Sequence, residues 1–113
     1  MELSRRDVGP VTVLDLLGRL TSTDSSGRLK EKVASLVFDD RKQIVLNLQN
    51  LAYMDSAGLG EMVACYSTAT KSGGKVRLAN TTGKIKELLT ITKLLTVFDA
   101  YDSEAEAVAS FGA

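Results

Sequence analysis

The chain has 113 residues, 44% of them apolar and 25% charged, which is the make-up of a folded domain rather than a disordered or fibrous chain. Its 14 basic and 14 acidic side chains balance to a formal net charge of zero, which removes the electrostatic reason to propose a nucleic-acid partner. No apolar run approaches the roughly 20 residues of a membrane span, the N-terminus lacks the apolar core of a signal peptide, and the single cysteine allows no internal disulfide, so one cytoplasmic domain over residues 1–113 is expected.

In chain order, residues 2–8 read as an edge strand of mixed polarity. Gly9-Pro10 marks a turn, and Val11-Thr12-Val13-Leu14-Asp15-Leu16 a second, β-branched strand, the two forming a hairpin. Residues 18–27 are polar and hydroxyl-rich and read as a loop in which Ser22, Thr23, Asp24 and Ser25 are candidate helix caps. Leu29, Val33, Leu36 and Val37 then share one helical face. Ile44-Val45-Leu46-Asn47-Leu48 is the most apolar stretch and should be a central strand. A helix follows from Ser56 to about Ser72, stopped by Gly73-Gly74. Alternation in Lys75-Val76-Arg77-Leu78-Ala79 predicts a strand, and Ile85, Leu88 and Leu89 a short helix covered by Leu94 and Leu95. Thr96-Val97-Phe98 is read as a last strand. Ser103, with Glu106 three residues on, opens a final helix whose stripe is Ala105, Val108 and Phe111. Strand and helix alternate after the opening hairpin, which predicts an α/β fold: a mixed, mostly parallel sheet of four to five strands with about four helices.

The stretch Met54-Asp55-Ser56-Ala57-Gly58-Leu59-Gly60 lies where the apolar strand gives way to a helix. Ser56 is placed at the N-cap, where its hydroxyl would accept from a first-turn amide. The same position offers the hydroxyl to a modifying group at the positive end of the helix dipole, where a phosphate is favoured. Gly58 and Gly60 each cost a helix up to about 1 kcal/mol against alanine, which a cap alone does not require.

Asp55-Ser56-Ala57-Gly58-Leu59-Gly60 resembles the signature of the STAS family, and within it the bacterial anti-sigma factor antagonists. Gly18-Arg19-Leu20-Thr21 with Asp24, the strand leading to Tyr53, and Gly73-Gly74-Lys75-Val76-Arg77-Leu78 resemble other parts of the same pattern in the same order. The resemblance implies a protein that is not an enzyme and carries no cofactor. Unphosphorylated, it would bind an anti-sigma factor with serine kinase activity and so release a sigma factor. It would be switched off by phosphorylation at the serine after the motif aspartate, here Ser56, and be reset by a phosphoserine phosphatase.

The implied partner-binding face comprises Ser22, Thr23, Asp24, Met54, Asp55, Ala57, Gly58, Leu59 and Gly60. Asp24 reads equally as a helix cap, and Leu59 is expected to be mainly core. Asn47 stands where many family members carry aspartate, and Ala57 replaces a second hydroxyl residue, leaving Ser56 as the only acceptor in the turn. A monomer is expected, with no direct contact to nucleic acid or membrane. The alternative reading is a STAS interaction subunit that is not phosphorylated, for example in a lipid-transport complex.

Catalytic chemistry is poorly served. There is no histidine, so neither a Ser-His-Asp nor a Cys-His site can form. Met54 occupies the place of the first glycine of a nucleophile elbow. No histidine–cysteine metal site is available, and Val63 stands at the third glycine position of a dinucleotide fingerprint begun by Gly58 and Gly60. Gly74-Lys75 and Gly83-Lys84 lack the upstream glycine of a P-loop. Cys65, next to Met62 and Tyr66 in helical register, reads as a buried thiol.

Overall fold

Residues 44–48 are buried throughout, and a strand apolar on both faces must lie inside a sheet that is covered on both sides. The computed structural model describes residues 1–23, 27–81 and 83–111 and puts this run in the middle strand. Among the described residues the order is β1 (Glu2–Val8), β2 (Val11–Leu20), α1 (Arg28–Phe38), β3 (Gln43–Met54), α2 (Ser56–Lys71), β4 (Lys75–Ala79), α3 (Gly83–Ile91), a 3-10 turn (Leu94–Thr96), β5 (Asp99–Tyr101) and α4 (Glu104–Ala109). The five strands lie side by side in sequence order. β1 runs antiparallel to β2, and all later neighbours are parallel. The expected mixed, mostly parallel α/β sheet is therefore what forms.

Sequential parallel strands joined by crossovers of one hand put successive helices on the same face. Accordingly α1, α2 and α3 bury Leu29, Val33, Leu36, Leu59, Met62, Cys65, Ile85 and Leu89 in one core with Leu14, Leu16, Ile44, Leu46 and Leu78. The opposite face carries Val11, Val13, Val45 and Ala79, and Ala107 of α4 closes it.

Several local expectations are corrected. The loop expected from Gly18 begins later, because β2 continues to Leu20 and pairs with an equally extended β3. Gly18, Arg19 and Leu20 lie opposite Leu51, Tyr53 and Met54, across two register shifts. Backbone pairing, invisible in hydropathy, keeps the polar Gln49 and Asn50 in a strand. The last strand is Asp99–Tyr101 rather than 96–98, and Phe98 is core. Ser103 does cap α4, its Oγ accepting from Glu106 N at 3.1 Å. Ala105, however, is exposed, and the buried stripe is centred on Ala107.

Candidate functional site: the N-terminus of the second long helix

Ser56 is not the cap of α2. Asp55 is: its backbone is extended and its Oδ1 accepts from Gly58 N at 2.8 Å. Ser56 becomes the first helical residue. It is exposed, and among the described residues its hydroxyl takes no hydrogen-bond partner. Aspartate and serine are equally good caps, so two adjacent candidates leave the boundary open by one residue in the sequence.

The turn is braced against the end of β2. Leu20 O accepts from Asp55 N at 3.3 Å, and Leu59 N donates to Asp55 O at 2.9 Å to start the helix. A Cβ at position 58 would stand 1.9 Å from Leu20 O, 2.8 Å from Leu20 C and 3.0 Å from Met54 Cγ. Gly58 thus serves an internal approach of helix to strand. At Gly60 a Cβ would meet nothing within 4 Å, and the residue is exposed. Gly60 follows Ser56 by four positions, so the two share a helix face.

The remaining residues of the motif divide by burial. Ala57 is exposed, while Met54 (3% exposed), Gly58 and Leu59 (9%) are buried, as expected for Leu59. Met54 and Leu59 instead line a groove of about 560 Å³ beside the serine, with Tyr53, Asp55, Ser56, Lys84, Ile85, Leu88 and Thr92. The α3 side of that groove was not anticipated, because nothing in sequence spacing links α3 to α2. Ser22 and Thr23 are exposed and follow Leu20, which pairs with Met54, so they stand at the same end of the sheet as the Ser56 turn. Asp24 and Ser25 lie outside the described residues.

Neither Ser22 nor Thr23 caps α1. The N-cap is Gly27, which makes no side-chain bond. Glu61, from the second turn of α2, supplies the missing acceptor: its Oε2 takes Leu29 N at 2.8 Å and Lys30 N at 3.1 Å. A carboxylate at a helix N-terminus also suits the dipole. The helix carrying Ser56 is thereby tied to the helix after the Ser22 loop.

On the opposite face, Asn47 is a hub. Its Nδ2 donates to Asp15 Oδ1 at 2.8 Å, and its Oδ1 accepts from Asn80 Nδ2 at 2.7 Å and from Gln49 N at 3.2 Å. Arg6 brackets Asp15 through two bonds, at 2.6 and 2.8 Å, and reaches Glu104 of α4. The Arg6 guanidinium, with Asn47, holds the Asp15 carboxyl below the usual carboxylate range. Asn47 lies well inside β3 and does not line the Ser56 groove. An aspartate at 47 would face Asp15 directly, so the amide is matched to this neighbour. Cys65 is fully buried, and burial, with Glu61 nearby, pushes its thiol up to about 12. Among the described residues there is no cluster able to hold a metal, and no helix long and apolar enough to cross a membrane.

The sequence pattern of the STAS domain family matches residues 4–107, and the chain belongs to that family. The anti-sigma F factor antagonist of Paenibacillus polymyxa is 33% identical over 59% of this chain and 57% of its own length. The anti-sigma-B factor antagonist of Bacillus subtilis is 32% identical over 63% of this chain and 64% of its own. The matched region thus spans less than two thirds of these relatives. In three dimensions a Thermotoga maritima protein superposes with a TM-score of 0.87 at 24% identity, over 96% of this chain and 92% of its own. The Bacillus cell fate determinant SpoIIAA in its phosphorylated form gives 0.74 at 20%, over 97% and 99%. A sulfate transporter family protein of Wolinella succinogenes gives 0.77 at 13%, over 89% and 84%, so the same fold also occurs in a transporter family.

Proposed function

We propose that this chain, as one STAS domain over residues 1–113, is an anti-sigma factor antagonist without enzymatic activity, working in the cytoplasm as a monomer. It binds an anti-sigma factor that is also a serine kinase, frees the sigma factor for transcription, and is switched off when that kinase phosphorylates Ser56. A phosphoserine phosphatase reverses the switch. The observation that carries this reading is the exposed hydroxyl of Ser56 at the first position of α2, without a hydrogen-bond partner among the described residues and with capping already supplied by Asp55. The relatives named as antagonists and the fold match to phosphorylated SpoIIAA support it.

The partner face in this reading is Ser22, Thr23 and Asp24 together with Asp55, Ser56, Ala57 and Gly60, while Met54, Gly58 and Leu59 shape that face from beneath. A phosphoserine adds about 1.5 to 2 negative charges at neutral pH. The dipole of α2 tolerates them within the domain. At a packed interface the same charges lose their water without finding partners, and the complex is disfavoured. The switch therefore acts by charge and bulk at the contact, with no change of fold.

The test is phosphate transfer. The purified protein is mixed with ATP, magnesium and the kinase-type anti-sigma factors of its own organism, and intact mass is followed. A single phosphate gained by the wild type and absent from Ser56→Ala is the expected result. No transfer from any of these kinases, together with stable binding to a transporter component, overturns the reading in favour of a STAS interaction subunit, as in a lipid-transport complex.

A further inference from the structure

Ser56 follows the C-terminal end of β3. The N-terminal end of the same strand opens into a different cavity, of about 310 Å³, lined by Lys42, Gln43, Gly73, Lys75, Arg77, Ser110 and Phe111. Three of these residues are cationic and none is acidic. Two buried side-chain polar atoms have no hydrogen-bond partner among the described residues, Gln43 Oε1 and Arg77 Nε, and both belong to residues of this lining. Buried polar groups are nearly always satisfied, so an unmet donor and an unmet acceptor on two residues of one lining point to a bound group beside them.

The arginine is held in position. Its side chain is 11% exposed, Nη1 donates to Ser110 Oγ at 2.6 Å, and the guanidinium carbon sits 4.4 Å from the centroid of the Phe111 ring. Ser110 Oγ in turn donates to Ala107 O at 2.6 Å. Asp99 Oδ2 forms an ion pair with Arg77 Nε at 3.6 Å, too long for a hydrogen bond; the Asp99 side chain is 68% exposed and lines the adjacent cavity, whose wall Lys75 and Arg77 share. Lys75 makes no ion pair among the described residues. Lys42 Nζ is 3.4 Å from Asp40 Oδ1, a side chain 86% exposed and able to swing away. A fixed guanidinium flanked by two ammonium groups suits an oxyanion, and phosphate above carboxylate because a dianion can engage all three.

We propose that this cavity binds a small phosphate monoester carrying a hydroxyl group, the phosphate held by Arg77, Lys75 and Lys42 and the hydroxyl donating to Gln43 Oε1. The site lies at the opposite end of the sheet from Ser56 and is independent of the phosphorylation switch.

The test is a titration of the full chain with glycerol 3-phosphate, and separately with methyl phosphate, followed by the Arg77 Nε–H resonance and backbone amide shifts at constant ionic strength. Saturable movement of Arg77 Nε–H with residues 73–77 and 110–111, tighter for glycerol 3-phosphate, is expected. Lys75→Gln weakens binding by about two- to fivefold, the range of one exposed ion pair. Gln43→Leu removes the preference for glycerol 3-phosphate, and Ser56→Ala and Arg5→Gln change nothing. Absence of saturation, shifts spread equally over the Arg5, Arg28 and Lys32 surface, or equal binding of the two esters overturns the proposal. Lys75 is exposed, so its variant reports even where Arg77 variants fail to fold.

Discussion

Gly58 and Gly60 are two residues apart in one helix, yet alanine should act on them with opposite sign. At position 58 the new methyl would begin 1.9 Å from Leu20 O, a backbone atom that cannot rotate aside. Ordinary contact requires α2 to withdraw by roughly 1.5 Å, and forced overpacking of this kind costs about 1–3 kcal/mol. Withdrawal also stretches the Asp55 N to Leu20 O bond, now 3.3 Å, worth about 1 kcal/mol. Against this, alanine recovers at most about 1 kcal/mol of helix propensity. Gly58→Ala should therefore lower unfolding free energy by about 1–3 kcal/mol. At position 60 the methyl meets nothing within 4 Å, so only the propensity gain remains and Gly60→Ala should stabilise by about 0.5–1 kcal/mol. Urea denaturation of the two variants beside the wild type measures both values from midpoints at common slope. A neutral Gly58→Ala, or a destabilising Gly60→Ala, would refute the account of how α2 is seated. Because Gly60 shares the face of Ser56, Gly60→Ala should also weaken partner binding while raising stability, a combination that a purely structural glycine does not give.

Glu61→Ala should lose about 1–2 kcal/mol by leaving two amides of α1 uncapped, with hydrogen exchange rising at Leu29 and Lys30. Asp15 has its carboxyl lowered by Arg6 and then Asn47, so its contribution is fully present above the ordinary aspartate value near pH 4 and is lost as pH falls through the lowered, folded value. The stability gap between wild type and Asp15→Asn should accordingly be constant from pH 7 to about 5 and close below about pH 4, and a gap unchanged at acid pH would contradict this. Asn47→Asp should be destabilising at neutral pH and recover partly in acid, because it sets a second carboxylate against Asp15. Cys65, with its thiol pushed up to about 12, should resist iodoacetamide at pH 8 in the native state and react once the chain is unfolded.

The succession of strands and helices and the buried face of α1 were legible because hydrophobic period carries them: Leu29, Val33, Leu36 and Val37 are buried together, as their spacing demands. Periodicity does not report backbone pairing, so the ends of β2 and β3 were cut short and polar residues 49–50 were left out of the strand. The strand-to-helix turn falls where the sequence put it, but its cap is Asp55 rather than Ser56, since the two compete for one role and only the chain's path past Leu20 decides between them. The cap supplied by Glu61, the bracket of Arg6 on Asp15 and Glu104, and the cavity between Gln43 and Phe111 join residues far apart in sequence, and no local pattern encodes such meetings. The glycines show the same limit. Both looked alike as costs to the helix, and only their surroundings separate an internal approach from an open face.

The central claim is that Ser56 is where partner affinity is switched, locally and without refolding. The most direct measurement installs phosphoserine at position 56 during synthesis, titrates both forms with the anti-sigma factor, and compares their backbone amide spectra. The account predicts a loss of affinity of about a hundredfold, as expected when a desolvated dianion meets a packed interface, with shifts confined to the start of α2 and the neighbouring α3 groove. Equal affinity of the two forms would contradict it, and so would spectral change spread through the sheet.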